Sequence, residues 1–307
     1  MKRKNKVGIK GFDVQTASGN CLVSGHRKIF LKDETLIDLV ARAGRNVINE
    51  LSVEGSDIGL VIFGGAGSLD KWLWSPSAKL QYLLGLTSAF AFDVFNGCNS
   101  LQVCLKLAWE SLSASSNYKY VLILIGDELS KVGTVDNPEH SPLWSFGDSA
   151  CAAIIERDPK NMELISQSFV TDGKFFDDIW VESKSGITYL DVNDSNNFDL
   201  IKAYEKNYPE QIKNGLKLAS LHEKDLIAVC MNQGSPRVIE KTEAALNLKP
   251  GTVIRTFEQF GHLGSTDVLL GLKHLLEDES RQVGKGSVVA LASSSVGYSW
   301  GCSIIKV

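Results

Sequence analysis

Two short runs hold the residue types best suited to chemistry. Cys98 follows Asn-Gly in FNGCNSL (95–101), and His262 follows a glycine in QFGHLGS (259–265). Each run stands just ahead of a segment with helical periodicity. Leu101, Val103, Cys104, Leu107 and Ala108 mark the first segment, and Val268, Leu269, Leu272 and Leu276 the second. A thiolate is the sulfur species that attacks a thioester, and both a helix N-terminus and a nearby imidazole favour it. An imidazole titrating near pH 6.5 can take up a proton and return it. Cys98 is therefore expected as a nucleophile, with His262 as its base. The other five cysteines, Cys21, Cys104, Cys151, Cys230 and Cys302, have no such setting. They show no CxxC pair and no metal-ligand spacing, and most sit in apolar runs as small core residues of a reduced compartment. His26, His140, His222 and His274 read as ordinary surface or core histidines.

The elements that position this pair come in two sets. Residues 58–64 (IGLVIFG) and 225–231 (DLIAVCM) are apolar runs of strand length. Residues 120–125 (YVLILI) recur as 287–292 (SVVALA), and 149–155 (SACAAII) as 299–305 (SWGCSII). Such runs suit strands covered on both faces. Most members are displaced by roughly 165 residues, the mark of a duplication rather than a solenoid. The repeated strand–helix–strand order predicts a layered α/β fold with sheets between helices. It also sets Cys98 and His262 facing each other across a pseudo-twofold axis. Residues 34–51 predict a covering helix, with Leu36, Leu39, Val40, Ala43 and Val47 on its apolar face. The polar run 193–197 (NDSNN), followed by a helix-like stretch over 200–221, separates the halves. The expected division is an N-terminal half, 1–190, with the nucleophile and a C-terminal half, 191–307, with the base.

Composition removes several function classes. The 307 residues are 22% charged and 44% hydrophobic, an ordinary globular balance. A formal net charge of −4 and a pI of about 5.8 argue against nucleic acid as a partner. The basic start has no apolar run behind it, so no signal peptide is expected. No apolar stretch reaches the ~20 residues of a membrane span. A cytoplasmic enzyme without metal or other cofactor is the expectation.

At these residues the chain resembles the β-ketoacyl-acyl carrier protein synthase III family of the thiolase superfamily. AFDVFNGCNSL (91–101) is similar to the family's nucleophile segment, SFGDSACAAII (145–155) to its FGDGAGA turn, and GYSWGCSII (297–305) to its terminal GGFTWG strand. The resemblance spans essentially the whole chain. It implies a thiolase fold of duplicated halves in a five-layer αβαβα sandwich. The departures bear on activity. NQGSPR puts Asn232 where the family has a catalytic His, and GHLGSTD puts His262 where it has Asn. In the family these two residues stabilise an enolate after decarboxylation, so their exchange should weaken that step. The terminal loop SSSVGYSW (293–300) holds no cysteine, which disfavours a thiolase reaction. A branch of synthase III-like acyltransferases in natural-product pathways carries this Cys, a His in a GHxG setting, and an Asp five residues on. Resemblance to that branch makes Asp267 the residue that orients His262.

The same resemblance implies further roles. Asn232 is expected to contact a substrate carbonyl or a water. Val296 is expected to give a backbone N–H to an oxyanion hole beside that of Cys98. Arg237 and Lys202 match basic residues that dock acyl carrier protein, although Thr242 and Glu243 stand near the place of the family's later basic pair. The segment that stacks coenzyme A's adenine is shortened around 26–33, which favours a carrier-protein thioester over acyl-CoA as donor. The expected activity is transfer of an acyl group through Cys98 to a small-molecule acceptor in secondary metabolism, without decarboxylation. A condensing enzyme that forms a C–C bond, or one subunit of a heterodimeric synthase, is the alternative. A homodimer, or a heterodimer with a paralogue, is expected, with 92–101 near the partner. Trp72, Trp74 and Trp144 either shape the pocket or belong to the core.

Overall fold

The computed structural model describes residues 6–23, 26–66, 73–114, 117–132, 145–184, 187–192, 197–296 and 298–307. Trp72, Trp144, His140 and most of the 193–197 run lie outside the described residues. In chain order the first elements are β1 (Val7–Thr16), a hairpin of β2 (Gly19–Val23) and β3 (His26–Phe30), α1 (Leu36–Glu50), β4 (Ile58–Gly65), α2 (Pro76–Leu83) and β5 (Phe90–Phe95). Next come α3 (Ser100–Ala114), β6 (Tyr120–Glu128), β7 (Asp148–Arg157), β8 (Glu163–Thr171), and a hairpin of β9 (Ile179–Lys184) and β10 (Ile187–Val192). The chain continues with α4 (Asn197–Leu218), β11 (Leu226–Met231), α5 (Pro236–Ala245), α6 (Phe257–Phe260), α7 (Asp267–Glu277), β12 (Val288–Ser295) and β13 (Ser299–Lys306).

Two groups of strands join into one mixed sheet, in the order β11-β12-β13-β8-β1-β7-β6-β4-β5. The groups meet where β1 pairs with β8 through Val7 with Leu164 and Gly8 with Glu163. Parallel pairing joins β5, β4 and β6 in the first group and β11 with β12 in the second, in keeping with the duplicated sequence runs. Pairing places β8 with the C-terminal strands, ahead of the expected division at residues 190 and 191.

Strand alternation explains the layers. Val121, Ile123 and Ile125 of β6 face a central core that also takes Leu101, Cys104 and Leu105 of α3 and Val268, Leu269 and Leu272 of α7. Their neighbours Leu122 and Leu124 face a second core under α1, with Leu39, Val40, Ala43 and Val47. In the other half Val289 and Leu291 point to the central core, and Ala290 and Ala292 to a third core under α4 and α5. Helix–sheet–helices–sheet–helix is the resulting order. It is the five-layer thiolase sandwich, with α3 and α7 shared in the middle. The covering helix starts where a capping box fixes it: Asp38 N–H donates to Thr35 Oγ1, and Thr35 N–H donates back to the Asp38 carboxylate. Among the described residues no helix is long and apolar enough to cross a membrane.

Candidate active site

Two mirrored turns deliver the chemistry to the midline. β5 ends at Phe95, and a single 3-10 turn over Gly97–Asn99 carries the chain into α3. Gly97 has φ 51°, and a Cβ there would lie 2.3 Å from Ser295 Oγ, so this turn demands glycine. Asn99 fastens the turn to the other half. Its Oδ1 accepts from Ser293 Oγ at 2.7 Å and its Nδ2 donates to Ser299 Oγ at 3.0 Å. Cys98 is thereby held buried at the start of a central helix.

His262 lies on an extended step between α6 and a 3-10 turn over Gly264–Thr266. Its N–H donates to Ser145 O at 2.9 Å, and its carbonyl accepts from Gly147 N at 3.0 Å. The backbone of β7's approach thus fixes the imidazole from below, and the Phe146 ring meets it edge-on at 5.0 Å between centroids. Both glycines of GHLG are sterically required. A Cβ on Gly261 would sit 2.1 Å from Ser145 O, and one on Gly264 would sit 2.6 Å from Asp127 Oδ2.

Cys98, His262 and Asp267 form a chain of contacts. Cys98 Sγ is 3.6 Å from His262 Nε2, and His262 Nδ1 is 2.5 Å from Asp267 Oδ2. An ionised carboxylate only accepts, so Nδ1 donates to Asp267, and whenever the ring is neutral the Nε2 lone pair faces the thiol. Asp267 is the first residue of α7 and fully buried. Its carboxylate also accepts from Leu263 N at 2.9 Å and Gln233 N at 2.8 Å. The i to i+5 spacing closes because His262 is extended and the 3-10 turn intervenes.

Burial sets the proton balance, and it corrects one expectation. Removal from water pushes the Cys98 thiol up, and the hydrogen bond and charge of His262 offset this only in part. The helix start does not by itself make a free thiolate. Burial also disfavours the imidazolium, but the charge and hydrogen bond of Asp267 outweigh it and carry His262 well above its ordinary value. A neutral ring here is a strengthened base, and it faces a thiol that burial holds toward its protonated form.

The remaining expected residues fall in different places. Asn232, Val296 and Arg237 line the same cavity as Cys98 and His262, a space of about 770 Å³. Asn232 is engaged by the protein. Its Oδ1 accepts from Ser294 N at 2.8 Å and from the Tyr208 hydroxyl at 3.1 Å, and its Nδ2 donates to Gly264 O at 2.7 Å. Val296 has φ 23°, a conformation costly for a β-branched residue. Its N–H has no hydrogen-bond partner among the described residues. Arg237 Nε donates to Glu205 Oε1 at 2.9 Å, and Lys202 is exposed on the same helix as Glu205, α4. Glu243 is buried, and its Oε1 accepts from Gly251 N and Val253 N, each at 3.0 Å; it holds a turn rather than facing a partner.

Two participants were not singled out from the sequence. Tyr208 projects from α4 into the site, its hydroxyl also 2.8 Å from Ser294 Oγ. Asp127, at the end of β6, is buried with both oxygens accepting from backbone N–H groups, Ala66 at 2.6 Å and Ser265 at 2.8 Å. The only sequence signal for Asp127 is a carboxylate closing the apolar run YVLILIGD.

Comparison with known proteins follows this geometry. Residues 92–173 match the family model of 3-oxoacyl-[acyl-carrier-protein] synthase III, and residues 216–307 match its C-terminal model. A β-ketoacyl-[acyl-carrier-protein] synthase III of Vibrio parahaemolyticus is 25% identical over 284 residues, spanning 91% of this chain and 87% of its own. The crystal structure of 3-oxoacyl-[acyl-carrier-protein] synthase III from Aquifex aeolicus superposes with a TM-score of 0.86 at 18% identity, over 98% of this chain and all of the other. The structure of ChlB3, named an acyltransferase, superposes with a TM-score of 0.82 at 18% identity over 98% of each chain.

Proposed function

The chain belongs to the 3-oxoacyl-[acyl-carrier-protein] synthase III family of thiolase-fold transferases, and from that premise we propose that it moves an acyl group through Cys98 to an acceptor without decarboxylation. The observation that carries this reading is the Cys98–His262–Asp267 chain, with Sγ 3.6 Å from Nε2 and Nδ1 2.5 Å from Oδ2. In the first half-reaction Nε2 takes the thiol proton as sulfur attacks the thioester carbonyl. Collapse of the tetrahedral adduct breaks the donor C–S bond, and His262 returns the proton to the departing thiol. In the second half-reaction His262 takes a proton from the acceptor's nucleophilic atom as it attacks the acyl-Cys98 carbonyl. Collapse breaks the acyl–Cys98 C–S bond and releases the product, and His262 returns the proton to the Cys98 sulfur. Asp267 holds the ring and stabilises the imidazolium in both halves. The N–H groups of Val296 and Cys98 are the proposed donors to the oxyanion.

The absence of decarboxylation is supported by Asn232. Its side-chain oxygen is taken by Ser294 and Tyr208 and one N–H by Gly264, so at most one N–H is left to meet a developing enolate. The proposed thioester donor is an acyl carrier protein, with acyl-CoA as the other source, and Arg237 and Lys202 are the proposed docking cations. β5 ends the sheet with Phe90 and Phe95 exposed, which supports a second copy or a paralogue pairing there. The described cysteines are all free, in keeping with a cytoplasmic setting. Intact-protein mass spectrometry after incubation with a panel of acyl thioesters tests the reading. One acyl mass on the native chain and none on Cys98→Ala is expected. An adduct that persists in Cys98→Ala removes Cys98 as nucleophile, and carbon dioxide released from a malonyl carrier protein during chain extension restores the condensing-enzyme reading.

A further inference from the structure

Asp127 belongs to neither proposed half-reaction, yet it joins the cavity wall to the loop that carries His262. Its Oδ1 accepts from Ala66 N at 2.6 Å, and Ala66 lines the reaction cavity. Its Oδ2 accepts from Ser265 N at 2.8 Å, three residues past His262. Ser265 in turn donates through Oγ to Gly97 O at 3.2 Å, the carbonyl next to Cys98. Gly264 has φ 67° and a Cβ on it would lie 2.6 Å from Asp127 Oδ2, so the carboxylate packs directly on this glycine. We propose that Asp127 is a positioning residue, which clamps the loop carrying His262 against the nucleophile turn through Ser265 and against the cavity wall through Ala66.

The surroundings agree with a clamp rather than a proton carrier. Asp127 faces His262, Asp267, Cys98 and Cys151, and it hydrogen-bonds to none of their side chains. Burial pushes its carboxyl up to about 7, with the two N–H groups and His262 opposing. A protonated carboxyl keeps acceptor lone pairs on both oxygens, so the clamp persists on either side of that pH. An amide does not, because its NH₂ cannot accept. Asp127→Asn must therefore release Ala66 or Ser265 while preserving shape.

A double-mutant cycle on Cys98 alkylation by iodoacetamide at pH 6 tests the proposal, since at that pH the substitution changes hydrogen bonding more than charge. Asp127→Asn is expected to slow alkylation about ten-fold in the native background and less than about two-fold in the His262→Ala background, because the clamp acts through His262. Equal effects in both backgrounds, or none in either, overturn it. Ser265→Ala removes only the link to Gly97 and is the milder variant should Asp127→Asn fail to fold. The same pattern is required of it, at about two- to five-fold. The inference rests on His262 acting on Cys98. The probe needs no acyl substrate, so absence of an acyl adduct would sink the transfer reading while leaving this cycle interpretable.

Discussion

The two halves of the sheet begin from one plan and end with different equipment. In the N-terminal half β5 completes the edge beside β4, and α2 packs on it, its capping Ser75 bonded to Asp93 of that strand at 2.6 Å. In the C-terminal half the matching place beside β11 holds one bridge, Val229 with Val253, and no strand among the described residues. The corresponding helix α5 also opens with Ser-Pro, but Ser235 makes no capping bond and faces the cavity with Arg237. The turns into α3 and α7 differ in the same sense. The first supplies a thiol, one required glycine and the buried Asn99 amide, whereas the second supplies an imidazole, two required glycines and the buried Asp267 carboxylate, with Asp127 of β6 bonded to it. Duplication places the groups; the later asymmetry of polar partners decides what each can do.

Breaking the second turn's base should have the largest effect. His262→Ala is expected to slow deacylation by ~10²–10⁴-fold, so that acyl-Cys98 accumulates in a chase monitored by mass spectrometry. A chase as fast as that of the native chain would mean that the thiol and imidazole are neighbours without being partners.

Asp267→Asn should cost less, about ten- to a hundred-fold in transfer rate, because the imidazole remains but its orientation weakens. Stability adds an independent reading. His262 binds its proton more tightly folded than unfolded, since Asp267 outweighs burial. The stabilisation is then complete below the unfolded value near 6.5 and is lost as pH rises through the higher folded value. The gap in urea-unfolding free energy between native and Asp267→Asn should accordingly be wider at pH 6 than at pH 10. A gap that widens instead would show the ring neutral in the folded chain.

Gly261→Ala comes next. At φ 71° and with Ser145 O 2.1 Å from the new Cβ, the backbone itself must move, for an expected loss of about 2–4 kcal/mol. Gly251→Ala is the control: φ is 86° there, but a Cβ meets nothing within 4 Å, and about 1 kcal/mol is expected. Equal losses would mean that conformation alone, and not the seat of His262, makes the glycine necessary.

These elements were unequally legible in the sequence. The paired apolar runs revealed the layers, because a strand buried on both faces must be apolar throughout. Cys98 and His262 were legible as counterparts for the same reason. Asp267 was reached only through a resemblance, since no regular helix brings i and i+5 to one face and the closing 3-10 turn leaves no periodic trace. Asp127 and Tyr208 act across 138 and 86 residues of chain, on Ser265 and Ser294, and such partners follow from packing rather than from any local pattern. The thiol's direction was misjudged because a helix start was weighed without its burial. The pairing of β8 with β13 likewise depends on how the whole sheet assembles and not on chain order.

The smallest expected effect lies at the open edge beside α5. Arg237 and Glu205 are paired at 2.9 Å with side chains 64% and 23% exposed, a setting where an ion pair adds little to stability. Arg237→Ala should leave the unfolding free energy within about 1 kcal/mol of native. If Arg237 docks an acidic carrier protein, its removal should raise KM for a carrier-linked thioester about three- to ten-fold at low salt, and far less at high salt, where exposed charges are screened. KM for a short thioester lacking the carrier should not change. Lys79→Ala, on the exposed face of α2 in the other half, should alter neither, because the edge there is closed by β5. An equal rise for the short thioester would mean that Arg237 shapes the cavity itself, and the asymmetry between the two edges would then concern substrate shape rather than partner choice.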